Sequence, residues 1–325
     1  MAEVQTVRGP IDTASLGTTL MHEHVFVVWT EILQNYPDPW GDEEGRILDA
    51  VNRLNELKSR GVDSLVDLTV IGLGRYVPRI QRIAQQTKLN IIVATGVYTY
   101  NDIPMYFHYQ GPGTIFGGPE LMADMFVKDI VDGIANTGVK AAILKCATDE
   151  PGMTRGVERV LRAVAQAHRR TGAPISTHTH AATRRGLEQQ RIFREEGIDL
   201  SRVVIGHCGD TTDLEYLEEL ISSGSYIGMD RFGVDTILGF EDRVKTVVRM
   251  CERGHASKMV LSHDAACYYH QFPEAPLKAA LPRWNYCHIH NDVLPALKKA
   301  GVTDDQIQTM MVDNPRKIFE QQGGY

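Results

Sequence analysis

The chain has no cysteine framework: Cys146, Cys208, Cys251, Cys267 and Cys287 are an odd set of five with no CxxC pair, which is not the spacing of a disulfide-stapled fold. A reducing compartment is expected. No stretch offers the roughly 18 uninterrupted apolar residues of a membrane span, and Met1–Gly17 carries neither a basic n-region nor an apolar h-region. A cytoplasmic protein without membrane contact is the expectation. There is no long basic run, and the net charge of -7 with a pI near 5.9 leaves no electrostatic footprint for a phosphate backbone. Nucleic acid is therefore not an expected partner. Internal repeats, low-complexity tracts and Gly/Ser linkers are all missing, so residues 1–325 read as one domain.

What is present is an ordinary globular composition, 43% hydrophobic, 23% charged and 7% aromatic over 325 residues, enough to bury a sizeable core. Short β-branched and apolar runs alternate with longer stretches of helical periodicity. The strand candidates are Thr18–Val25, Ser64–Thr69, Asn90–Val97, Val139–Cys146, Pro174–His178, Val203–His207, Ser225–Asp230 and Lys258–Ser262, about eight in number. Between them Ile47–Arg60, Val157–Arg170, Thr183–Glu196, Leu214–Ser222 and Phe240–Arg253 each place one apolar stripe toward a sheet. Asn291–Lys299, Thr303–Met311 and Lys317–Phe319 read as C-terminal helices. Eight strand–helix units match an α/β fold of the (β/α)8 (TIM) barrel type. A doubly wound open sheet is the rival architecture, and the lack of a GxGxxG after the first strand argues against its dinucleotide-binding form.

Ligand-type residues fall at the C-terminal ends of these strands. His22 and His24 end the first in an i, i+2 pair whose imidazoles share one face. Lys145 ends the fourth, His178 the fifth, His207 the sixth, and Asp264 follows the eighth. In a parallel barrel such ends converge on one volume. Four histidines and a carboxylate suit borderline divalent ions such as Zn2+, Co2+ or Mn2+. A charged lysine among them would be repelled, so Lys145 must be neutral or chemically modified. A carbamate on Lys145 would supply the bridging anion of a two-metal site. Glu23 points to the other face and reads as structural, while His180, His263, His288 and His290 neighbour better candidates or lie on loops and helices.

In this order the HxH, the strand-four lysine, the two single histidines, the Ser262-His263-Asp264 triplet and Asp313–Phe319 resemble the phosphotriesterase family of the amidohydrolase superfamily over nearly the whole chain, and within it the phosphotriesterase-like lactonases. The resemblance implies that His22, His24 and Asp264 bind the more buried of two divalent ions (Zn2+, Co2+, Mn2+ or Fe2+) and His178 and His207 the more exposed. Carboxylated Lys145 and a hydroxide would bridge the ions, and Asp264 would relay the proton to the leaving alkoxide. It places Tyr98 and Arg231 against the substrate and assigns Cys267–Trp284 to the loop that lines an acyl channel, with Phe26, Tyr268 and Phe272 as further substrate contacts. The implied substrate is a lactone, an N-acyl-homoserine lactone above all, with weak phosphotriester hydrolysis alongside, and the implied assembly is a homodimer. The alternatives are a dedicated phosphotriesterase, a Schiff-base aldolase using Lys145, and a barrel that holds metal or ligand without turning it over.

Overall fold

The computed structural model describes residues 2–320 and 323–325. Eight parallel strands form one sheet in which spatial order equals chain order: β1 (Thr19–Glu23), β2 (Ser64–Asp67), β3 (Asn90–Gly96), β4 (Ile143–Thr148), β5 (Ile175–Thr179), β6 (Val203–Ile205), β7 (Tyr226–Met229) and β8 (Met259–Leu261). The two end strands meet. The Asp264 amide donates to the His22 carbonyl at 3.0 Å and the His24 amide to the Ala265 carbonyl at 2.9 Å, while the His22 amide reaches Ser262 Oγ at 2.9 Å. An open doubly wound sheet has free edges at these positions, so the fold is a (β/α)8 barrel.

Glu23 seals this seam. Its carboxylate accepts the backbone amides of His263 (2.9 Å) and Ala265 (2.8 Å) and the Nδ1 proton of His263 (2.7 Å). Burial pushes this carboxyl well above its ordinary range and the donated hydrogen bonds pull the other way. The three donors leave no acceptor for a carboxyl proton, which is the pattern of an ionised group.

The period of two along each strand sorts residues into two packed layers. Val66, Ile92, Ala94, Ile143, Val204, Tyr226 and Val260 fill the barrel interior, whereas Leu65, Ile91, Val93, Leu144, Val203 and Leu261 pack outward against the helices. The same parity continued toward the C-terminal ends puts Lys145 two residues above Ile143, Asp230 two above Gly228, and Ser262 two above Val260. In β1 the pairing slips by one residue between Leu20 and Glu23. That irregularity lets adjacent Met21 and His22 both face inward.

The helices Glu43–Ser59, Arg155–Thr171, Arg185–Glu195, Leu214–Ser222 and Phe240–Glu252 lie where their apolar periodicity places them. Gly172 ends the second of these at φ 76°, its amide returning to the His168 carbonyl. The fourth strand departs from expectation. It runs Ile143–Thr148 rather than Val139–Cys146, because the Val139 carbonyl closes a turn by accepting the Ile134 amide at 2.8 Å. Lys145 therefore lies within the strand and is wholly buried. Near the C-terminus, π-helical turns at Ile289–Val293 and Thr309–Asp313 extend the expected helices. Among the described residues no helix is long and apolar enough to cross a membrane, and the five cysteines are free and buried.

Candidate metal centre

His22, His24, Lys145, His178, His207 and Asp264 line one cavity of about 490 Å3 at the C-terminal mouth of the barrel. Each imidazole is oriented by a partner on its far nitrogen. Asp230, buried inside the barrel, accepts from Nδ1 of both His22 and His207, each at 2.9 Å. His24 Nδ1 lies 2.9 Å from Thr69 Oγ1, which in turn donates to Asp67 at 2.5 Å. His178 is turned the other way: Nε2 bonds Asp149, so Nδ1 faces the cavity, 3.3 Å from the Tyr98 hydroxyl. With one nitrogen committed to an acceptor, the other presents a lone pair.

The backbone contributes as well. His207 and Asp264 sit at φ 60° and 56°, the left-handed region that costs a side-chain-bearing residue about 1–3 kcal/mol. His207 is held there by its amide bond to Asp230 Oδ1 at 2.7 Å, and Asp264 by the bond to the His22 carbonyl. Gly228 is required below them, since a Cβ there would fall 2.1 Å from Asp230 Oδ2.

Burial lowers the pKa of His22 and His207 and brings His178 down to about 4, so all three are neutral ligand-type imidazoles near pH 7. Burial also pushes the Lys145 amine down to about 8; its Nζ lies 2.8 Å from His22 Nε2 and 3.3 Å from the Thr177 carbonyl. Burial alone would raise Asp264, but His207, His22, His24 and Arg231 around it hold it well below the carboxylate range. Half-burial would likewise raise Asp149, and the hydrogen bonds from His178 and the Glu150 amide bring it down to about 2.

These groups fit a divalent ion. One ligand atom each from His22, His24 and Asp264 lies within 4.8 Å of the others, and His207 Nε2 is 3.7 Å from Asp264 Oδ2. His22, His207 and Asp230 cluster equally closely, but the Asp230 oxygens are already spent on both Nδ1 atoms, which makes Asp230 an orienting group.

A profile of the phosphotriesterase family matches residues 2–319 of this chain. The chain belongs to the phosphotriesterase family. It is a metal-dependent hydrolase acting on ester bonds. It is 72% identical, over the full length of both chains, to a phosphotriesterase homology protein of Mycobacterium tuberculosis. It is 39% identical over 312 residues, 95% of this chain and 96% of the other, to an aryldialkylphosphatase of Saccharolobus solfataricus. A solved structure of the phosphotriesterase from Mycobacterium tuberculosis superposes with a TM-score of 0.99 at 72% identity, covering 99% of this chain and 100% of that one.

Around the cluster, Tyr98 and Arg231 both face the cavity. Tyr98 donates to the Tyr100 hydroxyl at 2.8 Å. Arg231 bridges Asp264 (Nε, 3.0 Å) and Asp210 (Nη1, 3.0 Å). Phe272 lines the wall, and His180 sits at the rim, bonded to Thr183 Oγ1.

Phe26 and Tyr268 are corrections. They pair across a short parallel ladder, Phe26 with Tyr268 and Val27 with Tyr269, and alternate residues point to opposite sides. Val27 and Tyr269 line the cavity. Phe26 and Tyr268 instead close edge-on around Trp40, with centroids 5.2 and 5.3 Å away. His263 bonds Glu23 on the outer face and His288 bonds Asp292 at 2.7 Å, so neither joins the centre. The orienting groups Asp67, Thr69, Asp149, Asp210 and Asp230 were not singled out from sequence. Only Asp230 left a signal, its inward parity two residues beyond Gly228 at the end of β7.

Proposed function

We propose that the protein opens lactones, N-acyl-homoserine lactones in particular, with slow phosphotriester hydrolysis as a side reaction. The observation carrying this reading is the two-sided cavity. Its floor is the His, Asp, Lys and Arg cluster, and its walls are Val27, Leu73, Ile237, Leu277, Leu281 and Trp284. A volume near 490 Å3 suits a small amphipathic ligand: the ester ring meets the floor and the acyl tail meets the walls.

Two divalent ions, Zn2+, Co2+, Mn2+ or Fe2+, with His22, His24 and Asp264 at the inner position and His178 and His207 at the outer, would supply Lewis acidity to the ester oxygen and lower the pKa of water. Lys145 carboxylated on Nζ would join the two positions. An amine with a pKa of about 8 is roughly one-tenth uncharged at pH 7, the form that adds CO2. Asp264, with one oxygen on His24 and the other on Arg231, takes the proton released on attack and returns it to the leaving alkoxide. Arg231 stays charged and therefore orients Asp264 without relaying protons. Burial keeps Tyr98 a neutral phenol, which orients the ester by hydrogen bonding.

The decisive measurement is kcat/KM for a long-chain homoserine lactone beside a paraoxon-type triester, with and without a chelator. The lactone is expected to be preferred and both activities to be chelator-sensitive. A strong preference for the triester would replace this reading with the second one, a dedicated phosphotriesterase, which the name of the Saccharolobus solfataricus relative supports. For assembly we propose a homodimer. Met105, Tyr106, Tyr109, Ile115 and Phe116 are more than half exposed on one segment, and large apolar side chains left exposed together are what a partner copy would cover; the mass in solution by light scattering tests it.

A further inference from the structure

The four imidazoles of the centre do not share one orienting group. Asp230 serves His22 and His207 together, and so couples the inner and outer positions. Thr69, backed by Asp67, serves His24 alone on the inner side. Asp149 serves His178 alone on the outer side, and among these carboxylates it is the one that lines the cavity.

Its placement is built into the fold. β4 and β5 pair with Ala147 opposite His178 and Thr148 opposite Thr179, so the residue following β4 stands beside the His178 ring. Asp149 then opens a tight turn, its carbonyl accepting the Gly152 amide at 2.8 Å and its Oδ1 accepting the Glu150 amide at 2.6 Å. Aspartate at the first position and glycine at the last are the residue types such a turn favours. Arg185, at the start of the helix after β5, clamps the turn by donating to the Glu150 carbonyl at 2.7 Å. The turn that carries Asp149 is thus held from its own loop and from the helix that follows the strand of His178.

The consequence for His178 is specific. For His22, His24 and His207 the orienting bond is at Nδ1 and the centre is reached through Nε2. For His178 the bond is at Nε2, and Nδ1 is the nitrogen turned to the cavity, near Tyr98 and Arg231. An imidazole lacking this bond is free to protonate Nδ1 or to swing its ring, and either removes a donor from the outer position.

We propose that Asp149 is a positioning residue for the outer ion alone: by accepting the Nε2 proton of His178 it presents Nδ1 to the cavity and sets the affinity of the His178–His207 position without setting that of the His22–His24–Asp264 position. The proposal rests on the two-ion reading of the site. It predicts an asymmetry that no general loosening of the barrel would produce.

The test is metal stoichiometry. Wild-type, Asp149→Ala and Asp149→Asn proteins are loaded with Zn2+, dialysed against graded chelator and assayed for bound zinc per chain, with melting temperature measured in parallel. Asp149→Ala is expected to release its second equivalent at about 10- to 100-fold lower chelator strength than wild type, and to retain the first equivalent as wild type does. Asp149→Asn, whose amide oxygen can still accept from Nε2, is expected to lie between them. Nitrogen-15 spectra of the metal-free proteins, assigned by residue, are expected to show His178 of wild type protonated at Nε2, and that His178 signal lost in Asp149→Ala. Unchanged release of both equivalents, or parallel loss of both with a large fall in melting temperature, overturns the role of Asp149. A wild-type chain that never holds two ions overturns the two-ion reading itself, and the inference with it.

Discussion

The floor and the roof of the cavity are built on different principles. Every imidazole of the floor is tied through its far nitrogen to a fixed acceptor, and two of its residues are held in left-handed backbone. The roof, formed by the segments after β7 and β8, presents apolar side chains to the cavity, and of these only Tyr269 and Trp284 are tied by side-chain hydrogen bonds, to the Asp264 and His263 carbonyls. Tyr269 stacks on Trp284 with centroids 4.6 Å apart, and Ile237 and Phe272 are 51% and 42% exposed. Hydrogen-bonded ligands demand fixed geometry, whereas apolar walls demand only that some area be covered. The floor is therefore where the reaction is set, and the roof is where a ligand's tail is accommodated with tolerance.

Three substitutions test that division. Lys145→Ala strikes the floor and is expected to lower kcat/KM by at least about 10³-fold for lactone and triester alike. Steady-state kinetics beside bound-metal analysis check this, and a variant that kept both metals and most of its activity would make the lysine dispensable. Phe26→Ala strikes beneath the roof. It is expected to cost about 3–5 kcal/mol of stability by denaturant titration while KM stays as in wild type, because the ring packs on Trp40 rather than on substrate. A raised KM without loss of stability would return Phe26 to the cavity. Leu281→Ala strikes the roof itself and is expected to raise KM about tenfold for a long-chain lactone and leave a short-chain lactone unaffected. Equal effects on the two would mean that the tail lies elsewhere.

The register of the short Phe26–Val27 and Tyr268–Tyr269 ladder shows where reading a sequence stops. That aromatic residues cluster there is plain from the letters, but which member of each adjacent pair faces inward depends on a pairing made 242 residues away in the chain. Lys145 teaches the same lesson more gently. Its chemical oddity among histidines marks it without any structure, yet its depth follows from where β4 begins. Asp149 is an ordinary aspartate in sequence, and what distinguishes it is the ring nitrogen it touches.

Periodicity and residue chemistry, both local properties of the chain, were enough to specify the alternation of strands and helices and the histidines, lysine and aspartate at the strand ends, whereas closure into a barrel rather than an open sheet was decided by the contact of the two end strands. Long-range packing was needed for the seam sealed by Glu23, the tautomer of each histidine, and the side of the roof ladder that meets the cavity. Those features are relations between segments that meet only when the barrel closes, and an alternating pattern is equally compatible with either neighbour pointing in until its partner strand fixes the register.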